Sequence, residues 1–184
     1  EEEISPGDMV MVVKNNYFWL PEGSPAGFIA NGDIVELKTI RSVHDMFGFR
    51  FADVTIRFLD YPEEQELDVK ILLDTIRSES PALSSADNNR LFQEVMKDHE
   101  DITNKRKRIE KVKASPYFNA LQVKFAYALT CHKTQGGQWE NVFVEQGYLT
   151  DEMVNREYLR WLYTAVTRAT HKLYLVNFNE RFFR

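Results

Sequence analysis

The chain has 184 residues, of which 43% are hydrophobic, so it can bury a core as one elaborated domain or two small ones. Its net charge of -5 argues against binding nucleic acid through bulk positive charge, and any such contact requires a local basic patch. The single cysteine, Cys131, excludes an internal disulfide framework, and the scattered histidines show no metal-ligand spacing.

The first three residues, Glu1, Glu2 and Glu3, lack the basic flank and the apolar stretch of a signal peptide. No segment approaches the roughly 18 consecutive apolar residues of a membrane span. We therefore expect a cytoplasmic protein without membrane contact. The start without Met suggests an excised fragment.

Residues 9–13 form a nearly continuous apolar run, which predicts a strand covered on both faces. The next segment combines the amides of Asn15 and Asn16 with the aromatic ring of Tyr17, and such groups can bind phosphates and stack on bases. The more ordinary interpretation is a loop whose aromatic side chains pack into the core. The residues alone leave both interpretations open.

After the turn signal Asn31-Gly32, the chain changes to short segments of alternating hydrophobicity. Residues 34–40, 49–59 and 67–73 are predicted strands. Short strands with one polar face indicate a small antiparallel sheet or barrel.

Residues 87–113 carry apolar side chains at spacings of four and seven, which predicts one long helical stripe. The densest basic cluster of the chain lies in its second half, at Lys105, Arg106, Lys107, Arg108, Lys111 and Lys113. These cations could bind a phosphate backbone, or form a solvated face that favours the helix C-terminus. Both interpretations stay open.

Residues 125–144 contain an apolar run to Thr130, a polar turn and a second apolar run, which predicts strand, polar loop and strand. Residues 151–168 predict a helix with Thr150 as its N-cap. The buried strands of an α/β framework would be residues 9–13, 125–130, 142–144 and 172–176. Polar side chains at the end of a buried strand are where α/β proteins place ligand sites.

The sequence TCHKTQGGQW, followed by NVFV, resembles motif V of superfamily 1 helicases, and LYTAVTRATHKLYLV resembles their motif VI. Both are similar to the RecD-like branch of the UvrD/RecD C-terminal helicase domain. PGDMVMVVKNNY and NGDIVEL are similar to the stretch that, in this branch, leads out of the second RecA-like motor domain into an inserted SH3-like barrel.

This resemblance implies an α/β fold with a partial RecA-like second motor domain of the P-loop NTPase type. The motor domain would comprise residues 1–33 and 117–184 and lack its N-terminal part. An inserted small SH3-like β-barrel with a long helix would comprise residues 34–116.

Arg168 matches the motif VI arginine, and the resemblance implies a catalytic role for its guanidinium on the γ-phosphate of ATP, across a cleft between two motor domains. The resemblance also implies that Gly136, Gly137 and Gln138 lie beside the nucleotide. Many family members have Glu where this chain has Gln138, so the charge they present to the ribose is absent here.

Thr130 and His132 match motif V residues that in this family lie near the DNA backbone and couple it to the nucleotide. Further candidates for contact with single-stranded DNA are Lys133, Gln135, Asn15 and Asn16.

Together these motifs imply the C-terminal motor half of an ATP-dependent DNA helicase or translocase that moves 5′ to 3′. No Gly is followed by Lys, so there is no Walker A loop, and no strand ends in the Asp-Glu pair of a Walker B motif. ATP and its Mg²⁺ would therefore depend mainly on the N-terminal motor domain of the same protein, the expected partner besides single-stranded DNA. We expect no metal site on this chain alone, and no ATPase or unwinding activity from the isolated chain.

Two other functions are considered. The first is a non-catalytic nucleic-acid-binding or scaffold module derived from a helicase. The second is a thiol enzyme that uses Cys131 and His132, but adjacent residues of an extended segment point to opposite faces and cannot easily pair as nucleophile and base.

Overall fold

A computed structural model of the chain describes residues 3–61 and 63–183. Glu1 and Glu2 of the acidic start lie outside the described residues. The chain divides after Tyr127 into two compact units, and the secondary structure is mixed α and β. Within the described part of the chain, no helix is long and apolar enough to cross a membrane.

The first unit contains a closed five-stranded barrel. Its strands are β1 (Met9–Val12), β2 (Ile34–Met46), β3 (Phe49–Phe58), β4 (Leu67–Leu72) and β5 (Leu121–Phe125). Neighbouring strands are antiparallel, except that β4 and β5 are parallel. Because β1 pairs with both β2 and β5, the barrel closes and leaves no free sheet edge.

Alternating side chains of these strands fill the barrel. Val10, Leu37, Ile56 and Ile71 are completely buried and belong to one apolar cluster. Two register shifts interrupt the pairing of β2 with β3, and such bulges bend a long strand around a small barrel. The predicted small barrel is therefore present.

Its boundaries differ from the prediction, which assigned residues 1–33 and 117–184 to the motor domain and only residues 34–116 to the barrel. Both β1 and β5 lie outside that insertion, yet they pair with each other and with the barrel strands. Just beyond β5, the Ala126 amide donates a further backbone hydrogen bond to the Met9 carbonyl of β1. The barrel thus extends to both flanks of the predicted insertion because strand pairing across more than 100 residues closes it.

Three helices lie between β4 and β5: α1 (Asp74–Arg77), α2 (Ser85–Lys97) and α3 (Lys105–Lys113). The prediction of one long helix over residues 87–113 is wrong. The side chain of Asn104 accepts hydrogen bonds from the amides of Arg106 and Lys107 and so begins a new helix. The apolar spacing nevertheless identifies residues that are buried, since Leu91 of α2 and Val112 of α3 belong to one cluster with Phe51 of the barrel.

The second unit is a β-α-β arrangement. It contains a 3₁₀ helix at Cys131–Thr134, β6 (Trp139–Glu145), a 3₁₀ helix at Asp151–Met153, α4 (Arg156–Val166), β7 (Ala169–Val176) and a 3₁₀ helix at Glu180–Phe183. β6 and β7 form a parallel two-stranded sheet, and α4 lies in the connection that such parallel pairing requires.

Three predictions for this region need correction. The strand predicted at residues 125–130 lies earlier, at β5, because pairing with β1 stops at its Met9 end. The helix predicted at residues 151–168 begins only at Arg156, since Asn155 caps it and the side chain of Thr150 makes no capping hydrogen bond. The strands predicted to be buried, now β6 and β7, are mostly exposed; Val144 is the buried residue of β6.

A cluster of polar side chains on the barrel surface connects three strands. Lys70 of β4 is only 7% exposed, and its Nζ lies 2.5 Å from Oδ1 of Asp53 and 4.4 Å from the ring centroid of Tyr117. Ser42 donates a 2.8 Å hydrogen bond to the other carboxylate oxygen of Asp53. Burial acts to raise the pKa of Asp53, but the hydrogen bonds from Lys70 and Ser42 outweigh it and hold the pKa below its ordinary value.

A group whose pKa is lowered by folding stabilises the fold above its unfolded pKa, and this contribution disappears as the pH falls through the folded pKa. We expect Asp53→Asn to destabilise the protein by about 1–2 kcal/mol at pH 7, because it leaves the buried Lys70 ammonium without its counterion. The difference from the wild type should shrink as the pH falls below about 4. Urea unfolding at pH 7, 5 and 3 measures this.

Asp68→Asn is the matched control, because Asp68 pairs with Arg41 and both side chains are more than half exposed. It should change stability much less than Asp53→Asn. A stability difference for Asp53→Asn that is absent at pH 7, or equally large at pH 3, contradicts the assignment.

Candidate functional site

Arg168 lies between the end of α4 and the start of β7, and the chain holds its guanidinium with three hydrogen bonds. Nε donates to the carbonyl of Thr164 at 2.9 Å, and one terminal nitrogen donates to the hydroxyl of Thr167 at 3.0 Å. The other terminal nitrogen donates to the carbonyl of Gly137 at 3.0 Å, 31 residues earlier. A cation at this position is also favoured by the C-terminal end of the α4 dipole.

A second hydrogen bond joins the segment around Gly137 to Arg168, this time between backbone groups. The amide of Trp139 donates a 2.9 Å hydrogen bond to the carbonyl of Arg168, and Trp139 is opposite Ala169 in the sheet register. A Cβ atom on Gly137 would lie 2.5 Å from the ring of Trp139, so this ring packs directly over the glycine. Gly136 has a φ of +90°, which favours glycine. Glycine is therefore favoured at position 136 by the backbone conformation and at position 137 by the space that the Trp139 ring occupies.

Gln138 is the third residue of this loop that was predicted to lie beside the nucleotide. Its amide donates a 3.3 Å hydrogen bond to the carbonyl of Thr167, beside Arg168, and the side chain is exposed. The structure thus brings together Arg168, Gly136, Gly137 and Gln138. We call these four residues the arginine corner.

The arginine corner lies at the start of two strands, whereas the sequence indicated a site at the end of a strand. Sequence analysis placed the site where a buried strand ends, near Thr130. In the structure, Gly137 precedes β6 and Arg168 precedes β7, so the corner forms where these two parallel strands begin. The reason is that residues 126–130 are not part of a strand.

The predicted DNA-contacting residues lie in and beside the 3₁₀ helix Cys131–Thr134. Thr130, His132, Lys133 and Gln135 are all exposed. This helix is closed by hydrogen bonds from the Lys133 amide to the Thr130 carbonyl and from the Thr134 hydroxyl to the Cys131 carbonyl. The exposed side chains of this turn therefore carry a hydroxyl, an imidazole, an ammonium and an amide, which are all groups that can donate hydrogen bonds to phosphate.

A groove of about 500 Å³ lies between this turn and α4. His132 and Gln135 line one side of it, and Tyr148, Arg160 and Trp161 are among the residues of the other side. The sequence analysis did not name these three residues. The signal of Trp161 was weak, because an aromatic residue on a helix beside apolar ones usually belongs to a core. Tyr148 lies in a loop and Arg160 is one exposed arginine of α4, so neither belongs to a recognisable pattern.

Cys131 faces the same groove, and its thiol lies 3.5 Å from the carbonyl of Trp161. Burial raises the pKa of the Cys131 thiol, and the positive charge of Arg168 offsets only part of this effect. A thiol with a raised pKa is a poor nucleophile at neutral pH, which argues further against the thiol-enzyme alternative.

Asn15 and Asn16 belong to the first unit. Asn16 has a structural role: its amide nitrogen donates to the Asn119 carbonyl at 2.8 Å, and its oxygen accepts from the amides of Phe18 and Trp19. Asn15 is exposed. Among residues 3–61 and 63–183, no group of three or more His, Cys, Asp or Glu side chains could hold a metal ion.

Because Cys131 is the single cysteine, its alkylation reports on the arginine corner. We expect iodoacetamide to react more slowly than with an unperturbed thiol near pH 8, and Arg168→Gln to move the pH profile of the rate to still higher pH, since it removes the charge that favours the thiolate. Mass spectrometry of timed reactions measures the rate. Arg156→Gln, at the distant start of α4, is the control, and an unchanged profile for Arg168→Gln would refute the predicted interaction.

The chain is similar to parts of two known proteins. The 38% identity to the Uncharacterized protein MJ1519 of Methanocaldococcus jannaschii extends over 64 residues, which are 35% of this chain and 5% of that protein. The crystal structure of Pif1 helicase from Candida albicans aligns with a TM-score of 0.47 at 14% identity, covering 97% of this chain and 33% of that one. The chain thus spans a small part of each.

Residues 125–176 match the family model of the UvrD-like helicase C-terminal domain. This segment contains the arginine corner and the exposed polar turn, with all site residues predicted in the second unit. The family match is thus confined to the segment that carries the motifs resembling helicase motifs V and VI, which is less than a third of the chain.

Proposed function

We propose that the chain is the C-terminal motor half of an ATP-dependent DNA helicase or translocase of the RecD-like branch, moving 5′ to 3′. In this proposal the arginine corner acts on ATP and the exposed polar turn at residues 130–135 contacts single-stranded DNA. The N-terminal motor domain of the same protein supplies the phosphate-binding loop. The match of residues 125–176 to a helicase domain supports the class, and the geometry of Arg168 carries the mechanism.

Phosphoryl transfer requires positive charge on the γ-phosphate oxygens as the transition state forms, and a guanidinium provides it permanently. Three of the five N–H groups of Arg168 donate to Thr164, Thr167 and Gly137. The other two have no hydrogen-bond partner among the described residues, and are suited to an external anion. The planar guanidinium is therefore held in one orientation and keeps two N–H donors for a ligand. Electrostatic stabilisation of a transition state requires donors that are oriented in advance in this way.

The bond from Arg168 to Gly137 also supports coupling between DNA and ATP. Gly137 follows the exposed polar turn by two residues, and its amide donates to the carbonyl of Thr134 within that turn. A DNA strand that displaces the turn would move Gly137, and with it an acceptor of the arginine. One hydrogen bond thus connects the two sides of the proposed site.

On the nucleotide side, Gln138 offers an uncharged amide that can donate and accept hydrogen bonds to the ribose hydroxyls. The described residues contain no carboxylate cluster for Mg²⁺. Bound with ATP, Mg²⁺ would neutralise the charge that develops on the β- and γ-phosphate oxygens. In the proposal, its protein ligands belong to the N-terminal motor domain.

The exposed sheet of the second unit supports a larger motor domain. Parallel sheets are normally covered on both faces, yet all but the first residue of β7 are exposed, and Phe143 is 69% exposed while stacked on Tyr174 at 4.4 Å. We propose that other segments of the motor domain complete and cover this sheet.

For the full-length protein, we expect Arg168→Ala to lower ATP turnover about a thousandfold or more, because the arginine stabilises the transition state. Binding to single-stranded DNA should stay within about twofold of the wild type, since the exposed polar turn is unchanged. Steady-state ATPase assays and fluorescence anisotropy measure the two quantities.

Arg156→Ala removes an exposed arginine from the other end of the same helix and should leave both quantities unchanged. Near-normal turnover in Arg168→Ala would refute the catalytic assignment. If the wild-type protein bound DNA without hydrolysing ATP, the non-catalytic nucleic-acid-binding module would be the correct function instead.

A further inference from the structure

The first unit carries a cleft of about 320 Å³ that is unrelated to the arginine corner. It is lined by two lysines, four amide side chains, three aromatic residues and one alanine. No carboxylate is among these lining residues, although the chain as a whole carries 28 acidic residues and a net charge of -5. A concave surface of this composition is suited to an anion that also has an aromatic or polar face.

The cleft joins two segments that are about 100 residues apart in sequence, and Asn119 is their connection. The carbonyl of Asn119 accepts hydrogen bonds from Asn16 at 2.8 Å and from the Trp19 indole at 2.7 Å. Its side-chain amide donates to the carbonyl of Lys113 at 2.7 Å, at the end of α3. The amide-rich loop at residues 14–19 is thereby fixed beside the last turn of the basic helix.

Tyr17 gives this cleft an aromatic platform. Its side chain is 74% exposed, and its ring stacks on Phe28 with centroids 4.8 Å apart and an interplanar angle of 22°. The stacking fixes one face of the ring against the protein. A platform that is both held and exposed is the arrangement on which single-stranded nucleic acids stack their bases.

Two exposed cations, Lys14 and Lys113, lie at the same cleft, and Nζ of Lys14 also donates a long hydrogen bond of 3.4 Å to the side chain of Asn88. The two arginines of the basic cluster have partners outside the cleft: Arg108 donates to the carbonyls of Glu100 and Ile102, and Arg106 pairs with Glu110. Lys113 is the residue of α3 that lines the cleft.

We propose that this cleft binds a segment of single-stranded nucleic acid, with backbone phosphates at Lys14 and Lys113 and one base stacked on Tyr17. A base can stack on an exposed ring only when it is unpaired, which selects a single strand over a duplex. The inference rests on the proposed function, since single-stranded DNA is the ligand in both proposals.

The test measures binding of a fluorescein-labelled oligothymidylate to the 184-residue chain by anisotropy, over a series of salt concentrations. Lys113→Ala is compared with Lys111→Ala, which removes the same charge from the same helical turn. Side chains two positions apart point about 200° apart around a helix, and Lys111 is exposed but does not line the cleft. Thermal unfolding confirms that each variant is folded.

We expect Lys113→Ala to make the slope of log affinity against log salt shallower by about 0.7, the value for one lost phosphate contact on a single strand. Lys111→Ala should leave the slope unchanged. Tyr17→Ala should weaken binding about tenfold, and Tyr17→Phe should retain most of the affinity because the ring face remains. Equal effects of Lys113→Ala and Lys111→Ala, or no effect of Tyr17→Ala, would overturn the proposal.

Lys133→Ala, in the exposed polar turn, separates this proposal from the proposed function. If Lys133→Ala weakens binding while the cleft variants do not, the cleft proposal fails and the assignment of the turn stands. If the cleft variants weaken binding and Lys133→Ala does not, the cleft proposal stands and the DNA contact at the turn fails. If none of them weakens binding, both assignments fail.

Discussion

The hydrogen bond from Arg168 to the carbonyl of Gly137 is the interaction on which the arginine corner depends. It joins the end of α4 to the loop before β6, and the Trp139 amide returns a hydrogen bond to the Arg168 carbonyl. Parallel pairing makes this possible, because the starts of β6 and β7 lie side by side in the sheet. The charge of the guanidinium is thereby fixed between the segment that would contact DNA and the residues that would face the nucleotide.

The same bond explains why the glycines of this loop matter. The carbonyl of Gly137 accepts the hydrogen bond of the arginine, while the ring of Trp139 covers the position where a side chain of residue 137 would be. The first unit shows a comparable device, in which the carbonyl and the amide of Asn119 fix the loop at residues 14–19 against α3. In both units, backbone carbonyls fix the position of polar side chains.

The sequence predicted those helices and strands whose formation depends on residues close together in the chain. The helix that ends before Arg168, the strands on either side of it and the short strands of the barrel all follow from hydrophobic periodicity. The barrel boundaries could not be predicted, because β1 and β5 pair across more than 100 residues. The helix starts at Asn104 and Asn155 were also missed, since a single capping amide was outweighed by the apolar pattern around it. For the site, motif resemblance identified Arg168 and Gly137, but only the fold shows that they touch, and that Asn16 supports a cleft.

In the proposed function, Arg168 completes a nucleotide site while its guanidinium stays bonded to the loop that would contact DNA. A structure of the full-length protein with single-stranded DNA and a transition-state analogue of the γ-phosphate would show both contacts at once. We expect the guanidinium to donate to the analogue at about 3 Å and to keep its hydrogen bond to the Gly137 carbonyl. An analogue contacted by another cation, with Arg168 turned away from the nucleotide, would contradict it.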